Sequence, residues 1–424
     1  MQSNKPNITS PFTMRRLAVG VGSALLLAAQ PGLAQTVNAD DMQAKLDDMQ
    51  RQINQMNASQ AASSDGIKIG NTTVDIGGYV KLDMIYDFDQ AMGDSLFVAG
   101  LDTANNESNG AFRAHARQSR ISIGTITPTD AGVVKTRFEG DFFGGGGNEI
   151  FSNSNGLRIR HAYGELGGLL AGQTWSNFMH FTAYPSTVDF DGPVGVSFIR
   201  QAQVRYTMPM GGGALSVSAE NAETTGFEGS RDVLPDFTAR YKWAGDGGGF
   251  EFAGLARQLQ TDDPAATGDD SAFAYGLMLA GRLNVTNSTT LMAGAIFGDG
   301  VGRYIYSSFS DNNSGATRTG IGEAYIDPNG DLETIEAFGF NVAVSQKWTP
   351  KFTSGLSYGR VEGDQPENLF PESFETLQSV HFSNFYQIAD PVTLGLELSF
   401  ADKELMNGES SDNTRLQASA QFSF

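Results

Sequence analysis

"NTRLQASAQFSF", residues 413–424, places Leu416, Ala418, Ala420, Phe422 and Phe424 on one parity. Arg415, Gln417, Ser419, Gln421 and Ser423 take the other. Successive side chains of a strand point to opposite faces, so this segment is a strand with one apolar and one polar face. Upstream, "VTLGLELSF" (392–400) sets Val392, Leu394, Leu396, Leu398 and Phe400 against Thr393, Glu397 and Ser399. "FGFNVAVSQKW" (338–348) sets Phe338, Phe340, Val342, Val344 and Trp348 against Asn341, Ser345 and Lys347.

Sixteen such segments follow residue 74. They begin near Ile76, Phe112, Val133, Leu157, Leu169, Gln201, Ala214, Asp236, Phe250, Ala272, Thr289, Thr334, Phe352, Thr376, Val392 and Asn413. Most run about 9–12 residues, enough to cross a bilayer at a tilt. Their connections alternate between short turns ("TPTDAG", "MGGG", "AGDGGG", "NVTNS", "TPK", "ADP") and long polar loops at 89–111, 144–156, 178–199, 222–235, 260–271, 302–333, 361–375 and 403–412. Short turns at one end and long loops at the other are the pattern of an outer-membrane barrel. A soluble β-sandwich would also alternate, but its edges need cover and no helix is available to supply it. No fixed repeat of the kind that marks a solenoid is present. The pattern predicts an all-β fold, a sixteen-stranded antiparallel transmembrane β-barrel over residues 67–424.

In such a barrel the apolar face meets lipid and lipopolysaccharide, and the polar face meets a water-filled lumen. Aromatic residues at segment ends (Tyr86, Phe142, Tyr163, Trp175, Tyr206, Tyr241, Trp243, Tyr304, Tyr306, Trp348, Phe352, Tyr386) suit interfacial girdles. Parity then sends Arg120, Lys135, Arg137, Arg158, Arg160 and Arg205 into the lumen on neighbouring strands. Arg113, His115 and Arg117 fall on the opposite parity, at the rim or at a contact between subunits.

The charge distribution agrees. The chain carries a net charge of −20, yet residues 113–205 hold nine basic and seven acidic groups. A basic wall in a narrow wet pore concentrates small anions, and the guanidinium fork suits carboxylates. The alternative is that these arginines only neutralise Glu139, Asp141 and loop acids. The 178–199 loop carries Asp189 and Asp191; folded inward, it would set acids against the basic strands, and otherwise it is a surface loop.

Other classes fall away. The chain has no cysteine, so disulfides and thiolate metal sites are excluded. Mean hydropathy is −0.24, too low for a helical membrane bundle. Non-specific nucleic-acid binding does not fit so acidic a chain. "GGGGN" at 144–148 lacks the Lys-Ser/Thr and helix of a phosphate loop. His115, His161, His180 and His381 are scattered, and neither HExxH nor GxSxG occurs. No cofactor or metal is implied. An outer-membrane hydrolase or an adhesin remains the non-transport alternative.

Residues 1–34 read as a secretory signal, with a start at Met1 or Met14, Arg15 and Arg16 before an apolar run, and small residues near Ala34. A membrane anchor is the alternative, against which stand the shortness of the run and Pro31. In residues 35–66, Met42, Leu46, Met49, Ile53 and Met56 recur at spacings of 4, 3, 4 and 3. That is a heptad seam, which predicts a short α-helical coiled-coil stalk followed by a flexible linker. An amphipathic helix lying on its own barrel is the other reading.

"GGYVKLDMIYDF", "ARQSRISIGT", "VKTRFEGDFFG", "LRIRHAYGEL", "AGQTWSNF" and "VDFDGPVGVSFIRQAQVRY" resemble the DcaP-like outer-membrane porins of Gram-negative bacteria, over about residues 76–206. The terminal Phe424 and the stalk agree with that family. The resemblance implies a homotrimeric sixteen-stranded channel for the passive uptake of dicarboxylates and similar small anions, with the stalk in the periplasm. A general diffusion porin without a substrate site is the alternative.

Overall fold

The computed structural model describes residues 66–104, 109–148, 150–225, 227, 229–306 and 320–424. The predicted signal and the seam of Met42, Leu46, Met49, Ile53 and Met56 lie outside them. The strands are β1 (Ile67–Ile69), β2 (Thr72–Asp87), β3 (Ala111–His115), β4 (Arg120–Thr129), β5 (Gly132–Asn148), β6 (Ser154–Leu166) and β7 (Leu169–Trp175). Then come β8 (Arg200–Met210), β9 (Gly213–Glu220), β10 (Asp236–Gly245), β11 (Gly248–Gln260), β12 (Ser271–Asn284) and β13 (Thr289–Asp299). β14 (Ala324–Ile326) and β15 (Leu332–Thr334) form a separate small hairpin within a loop. The wall ends with β16 (Glu336–Thr349), β17 (Phe352–Gly363), β18 (Phe374–Ala389), β19 (Val392–Leu405) and β20 (Ser410–Ser423).

Every wall strand pairs antiparallel with its neighbours, and β20 pairs back onto β2. β3 and β4 are two parts of one stave, both paired with β2, and β1 is a short strand beside the start of β2. The wall is therefore a closed antiparallel barrel of sixteen staves. At the seam, Gly78 and Phe424 exchange backbone hydrogen bonds of 3.1 Å in each direction. Closure leaves no free edge in the wall, which is what lets strands span a membrane.

Alternation holds along the last strands. Leu394, Leu396, Leu398, Phe400, Leu416 and Phe422 are exposed on the outer face, whereas Glu397, Ser399, Asn413, Arg415 and Gln417 are buried inside. Two expectations need correction. The 144–156 segment is not all loop, because β5 and β6 extend through it as a hairpin with Ile150 and Phe151 exposed at its tip. The girdle holds for Tyr86, Phe142, Tyr206, Trp243, Trp348 and Tyr386, which are exposed outside. It fails for Tyr304, which is fully buried, and for Tyr163, Trp175 and Tyr306, which contact lumenal or loop side chains.

One side of the lumen is filled. Leu96, Val98 and Leu101 from the loop after β2, Phe178 and Val194 from the loop after β7, and Val301, Ile305 and Ile321 pack on inward residues of β11–β19. Those inward residues are small or aliphatic, among them Ala253, Leu255, Met278, Ile296, Ala337 and Val361. Several are glycine because the loop chain passes against the wall. A Cβ at Gly359 would collide with the Val194 carbonyl, and one at Gly339 would stand 3.0 Å from Gly195 Cα.

Candidate functional site

The opposite side of the lumen holds most of the predicted arginines, aimed by three irregularities. Between β5 and β6 the register steps from Glu139↔His161 to Gly140↔Ile159, so Arg160 is an extra residue on β6. Such a bulge re-aims side chains, and here Arg160 and His161 are both buried inside. A second step, from Asp141↔Arg158 to Gly144↔Gly156, frees Phe143 to pack on Phe190 of the loop, centroids 4.4 Å apart, while Phe142 stays exposed outside. Third, residues 116–119 break the stave between β3 and β4. Ser119 Oγ accepts there from the Lys81 N–H at 3.0 Å, and the Arg117 carbonyl accepts from the Phe142 N–H at 3.0 Å. The break resets parity. Arg113, His115 and Arg117 therefore turn inward at the long-loop end of the stave and contact Asp94, not outward as a contact between subunits would need.

Four guanidinium groups surround two carboxylates. Arg158 grips Asp141 with two bonds, Nε to Oδ1 at 3.0 Å and Nη2 to Oδ2 at 2.8 Å. Arg160 bridges, donating from Nε to Glu139 at 2.9 Å and from Nη1 to Asp141 at 2.8 Å. Arg137 donates to Glu139 at 2.5 Å, and Arg120 lies 3.4 Å from it. The cluster thus keeps two formal positive charges in excess. Lys135 and Arg205 form no ion pair among the described residues; they lie nearer the short-turn ends of their strands, away from this cluster.

The loop from 176 to 199 crosses the lumen and is held along its length. Glu220 accepts from the Asn177 N–H at 2.8 Å, Glu251 from Thr182 at 2.7 Å and Glu397 from Val188 at 2.6 Å. Asn341 Nδ2 donates to the Ala183 carbonyl at 2.9 Å. Asp189 does not face the basic strands, because its carboxylate is taken by Arg415 of β20 at 3.0 Å and by the Leu96 N–H at 3.1 Å. Asp191 accepts from the Tyr306 hydroxyl. Burial and the adjacent Asp189 carboxylate push the Asp191 carboxyl up to about 6. The acids are used to anchor the loop, and its aromatics meet the arginines instead. Phe190 lies 5.3 Å from Arg158 and 5.8 Å from Arg160, within range for cation–π attraction.

Alternation along β8 did not reveal Arg200. Gln201 and Gln203 are buried inside, so strict alternation turns Arg200 outward. It is the first residue of β8, where the incoming loop sets its direction, and its guanidinium lies 4.5 Å over the Trp175 ring. Arg200 makes no ion pair among the described residues, and its Nη1 is buried without a hydrogen-bond partner. The return of a long loop into a strand was its one signal in sequence.

Comparison with known proteins places this geometry. Porin Omp2b of Brucella suis is 28% identical over 153 residues, and the match spans 35% of this chain and 37% of that relative. The crystal structure of the outer membrane channel DcaP of Acinetobacter baumannii is 26% identical, superposes with a TM-score of 0.75, and matches over 85% of this chain and 99% of that one. OmpF of Salmonella typhi, solved with daunomycin, shares the fold at a TM-score of 0.54 and 10% identity, over 84% of this chain and 99% of its own. These are porins and channels, not enzymes. Residues 35–424 match the DcaP outer membrane protein family, and the chain belongs to that family.

Proposed function

We propose that this protein is a passive outer-membrane channel for small anions, dicarboxylates above all, with Arg158, Arg160 and Arg200 as the groups a passing solute meets. The observation that carries this reading is Arg200, a guanidinium with no ion pair among the described residues and a buried Nη1 without a partner there, beside a cluster already two charges in excess. An unsatisfied buried donor is costly, and an oxyanion would satisfy it. Arg120 and Arg137 add to the field, and Lys135 and Arg205 extend it toward the short turns. The channel works as a homotrimer in outer-membrane lipid and lipopolysaccharide, with residues 35–66 as a periplasmic stalk.

One observation favours general diffusion instead. Arg120, Arg137, Arg158 and Arg160 all lie against Glu139 or Asp141, as they would if they served only to neutralise them. The double variant Arg158→Ala, Arg160→Ala separates the two. In planar bilayers it should stay open, lose most of its anion preference in reversal potentials, and lose dicarboxylate block. The wild-type block should be weak and should fade with salt. Unchanged selectivity in the double variant would leave general diffusion as the function.

A further inference from the structure

Beneath the crossing loop, on the short-turn side, lies a cavity of about 510 Å3. Its roof is Tyr184–Thr187 of the loop, and its walls come from the short-turn ends of β12, β13 and β16–β20, with Lys81 of β2 and Gln118 beside it. Asp and Glu number 48 in the chain, yet none of the nineteen lining residues is acidic. The lining is instead rich in hydroxyls, such as Ser186, Thr187, Thr290, Ser345 and Thr353, and it includes two cations, Lys81 and Arg282.

The two cations differ. Lys81 is neutralised by Asp83 at 2.9 Å and also donates to the Val188 carbonyl at 2.9 Å. The Arg282 side chain has no hydrogen bond or ion pair among the described residues and faces the cavity. Lys242 lies within electrostatic reach of both Arg240 and Arg282. The nearby acid, Glu251, is fully buried, has one oxygen committed to the Thr182 N–H, and stands 3.9 Å from Arg240. Positive charge is therefore left over on this wall.

We infer that this cavity is a second station for small oxyanions, between the arginine cluster and the periplasm, with Arg282 as its charged contact. The inference rests on the channel reading above and adds a place where the solute waits after the constriction. Hydroxyls donate hydrogen bonds to an anion without adding charge, and one exposed guanidinium binds weakly, so the station fills and empties readily. Its effect is directional. An anion arriving from the short-turn side meets Arg282 before the arginine cluster, whereas one arriving from the long-loop side meets the cluster first.

Oriented single channels with malonate added to one side at a time test this. Arg282→Gln removes no hydrogen bond or ion pair among the described residues, so the channel should still fold and open, and its own open conductance is the baseline for its block. Its malonate association rate from the short-turn side should drop about fivefold, and the rate from the long-loop side should be unchanged. Arg282→Glu should enlarge the asymmetry. Equal association rates from both sides in wild type and both variants would overturn the station. Loss of block from both sides alike in Arg282→Gln would overturn it too, since Arg282 would then act on the whole pore. The anion-selective reading fails separately, if Arg158→Ala, Arg160→Ala keeps its selectivity and its block.

Discussion

On the β4–β6 side of the lumen the inward positions carry Arg120, Arg137, Glu139, Asp141, Arg158 and Arg160. On the β11–β19 side many are small or aliphatic, such as Ala253, Leu255, Met278, Ile296, Ala337 and Ala401, with glycine at 339, 359 and 395, beside the buried loop anchors Glu251, Asn341 and Glu397. Both sides turn an apolar face outward, but the β4–β6 side interrupts the two-residue alternation with a bulge and a break. What differs is the volume and polarity of the inward side chain. Long charged side chains pair with one another along the wall. Small apolar ones leave a seat that loop residues fill, and Glu251, Asn341 and Glu397 pin the chain there. A barrel of sixteen staves is wide enough to leave an aqueous channel. This chain reduces it by filling one side and charging the other.

The most severe test of that contrast is to take away the seat. A Cβ at Gly359 meets the backbone of Val194, which cannot rotate aside. Gly359→Leu should destabilise the folded loop by about 3 kcal/mol or more and push it toward the charged side. Single-channel conductance and its noise would report this directly, and thermal unfolding in detergent would report the cost. A variant with wild-type conductance and stability would mean that the glycine wall does not hold the loop.

A milder test is to weaken one anchor and leave the seat. Glu397 accepts from the Val188 N–H at 2.6 Å, the Ser383 hydroxyl at 2.6 Å and His381 Nδ1 at 2.9 Å, and it is fully buried. Glu397→Gln keeps the shape but turns one acceptor oxygen into a donor facing donors. The expected loss is about 1.5–3 kcal/mol, the range for one charged hydrogen bond. Faster protease cutting within 185–192 would show the loop loosening. If cutting and melting are both unchanged, the packing alone positions it.

How much of this contrast the sequence makes legible follows from the range of the forces. Alternation is local, so the parity of β16, β19 and β20 and all sixteen staves can be found strand by strand. A bulge is a slip of one residue between two strands, and its energy depends on the partner. Hence Arg158 and Arg160 come out facing the lumen by simple parity, while the inward turn of Phe143 does not. The break at 116–119 misplaces Arg113, His115 and Arg117 for the same reason. Asp189 is visible as a loop acid, but its partner Arg415 is 226 residues away. Nothing local tells an anchoring carboxylate from one that faces the pore. The inward glycines are harder still, because an empty position has meaning only once the chain that fills it is known.

The smallest effect expected comes from Asp191, which lies in the anchored loop two residues from Asp189. Burial, with the Asp189 charge beside it, raises its carboxyl to about 6 from an ordinary 3.8. The raised value fixes the sign. Between about pH 4 and pH 6 the folded chain holds this proton more tightly than the unfolded chain does, so stability falls as pH rises through that window and levels off above it. At neutral pH the folded loop thus carries a charge that its surroundings disfavour, by at most about 3 kcal/mol. Asp191→Asn removes the charge and keeps an oxygen to accept from Tyr306, though that bond becomes weaker without it. The net gain should therefore be only about 1 kcal/mol at pH 7.5, shrinking toward zero near pH 4.5. Melting temperatures of variant and wild type, compared across that range, read the difference. A gap that stays constant with pH would show that packing rather than charge sets the cost, and that the filled side of the lumen holds its two neighbouring acids without strain.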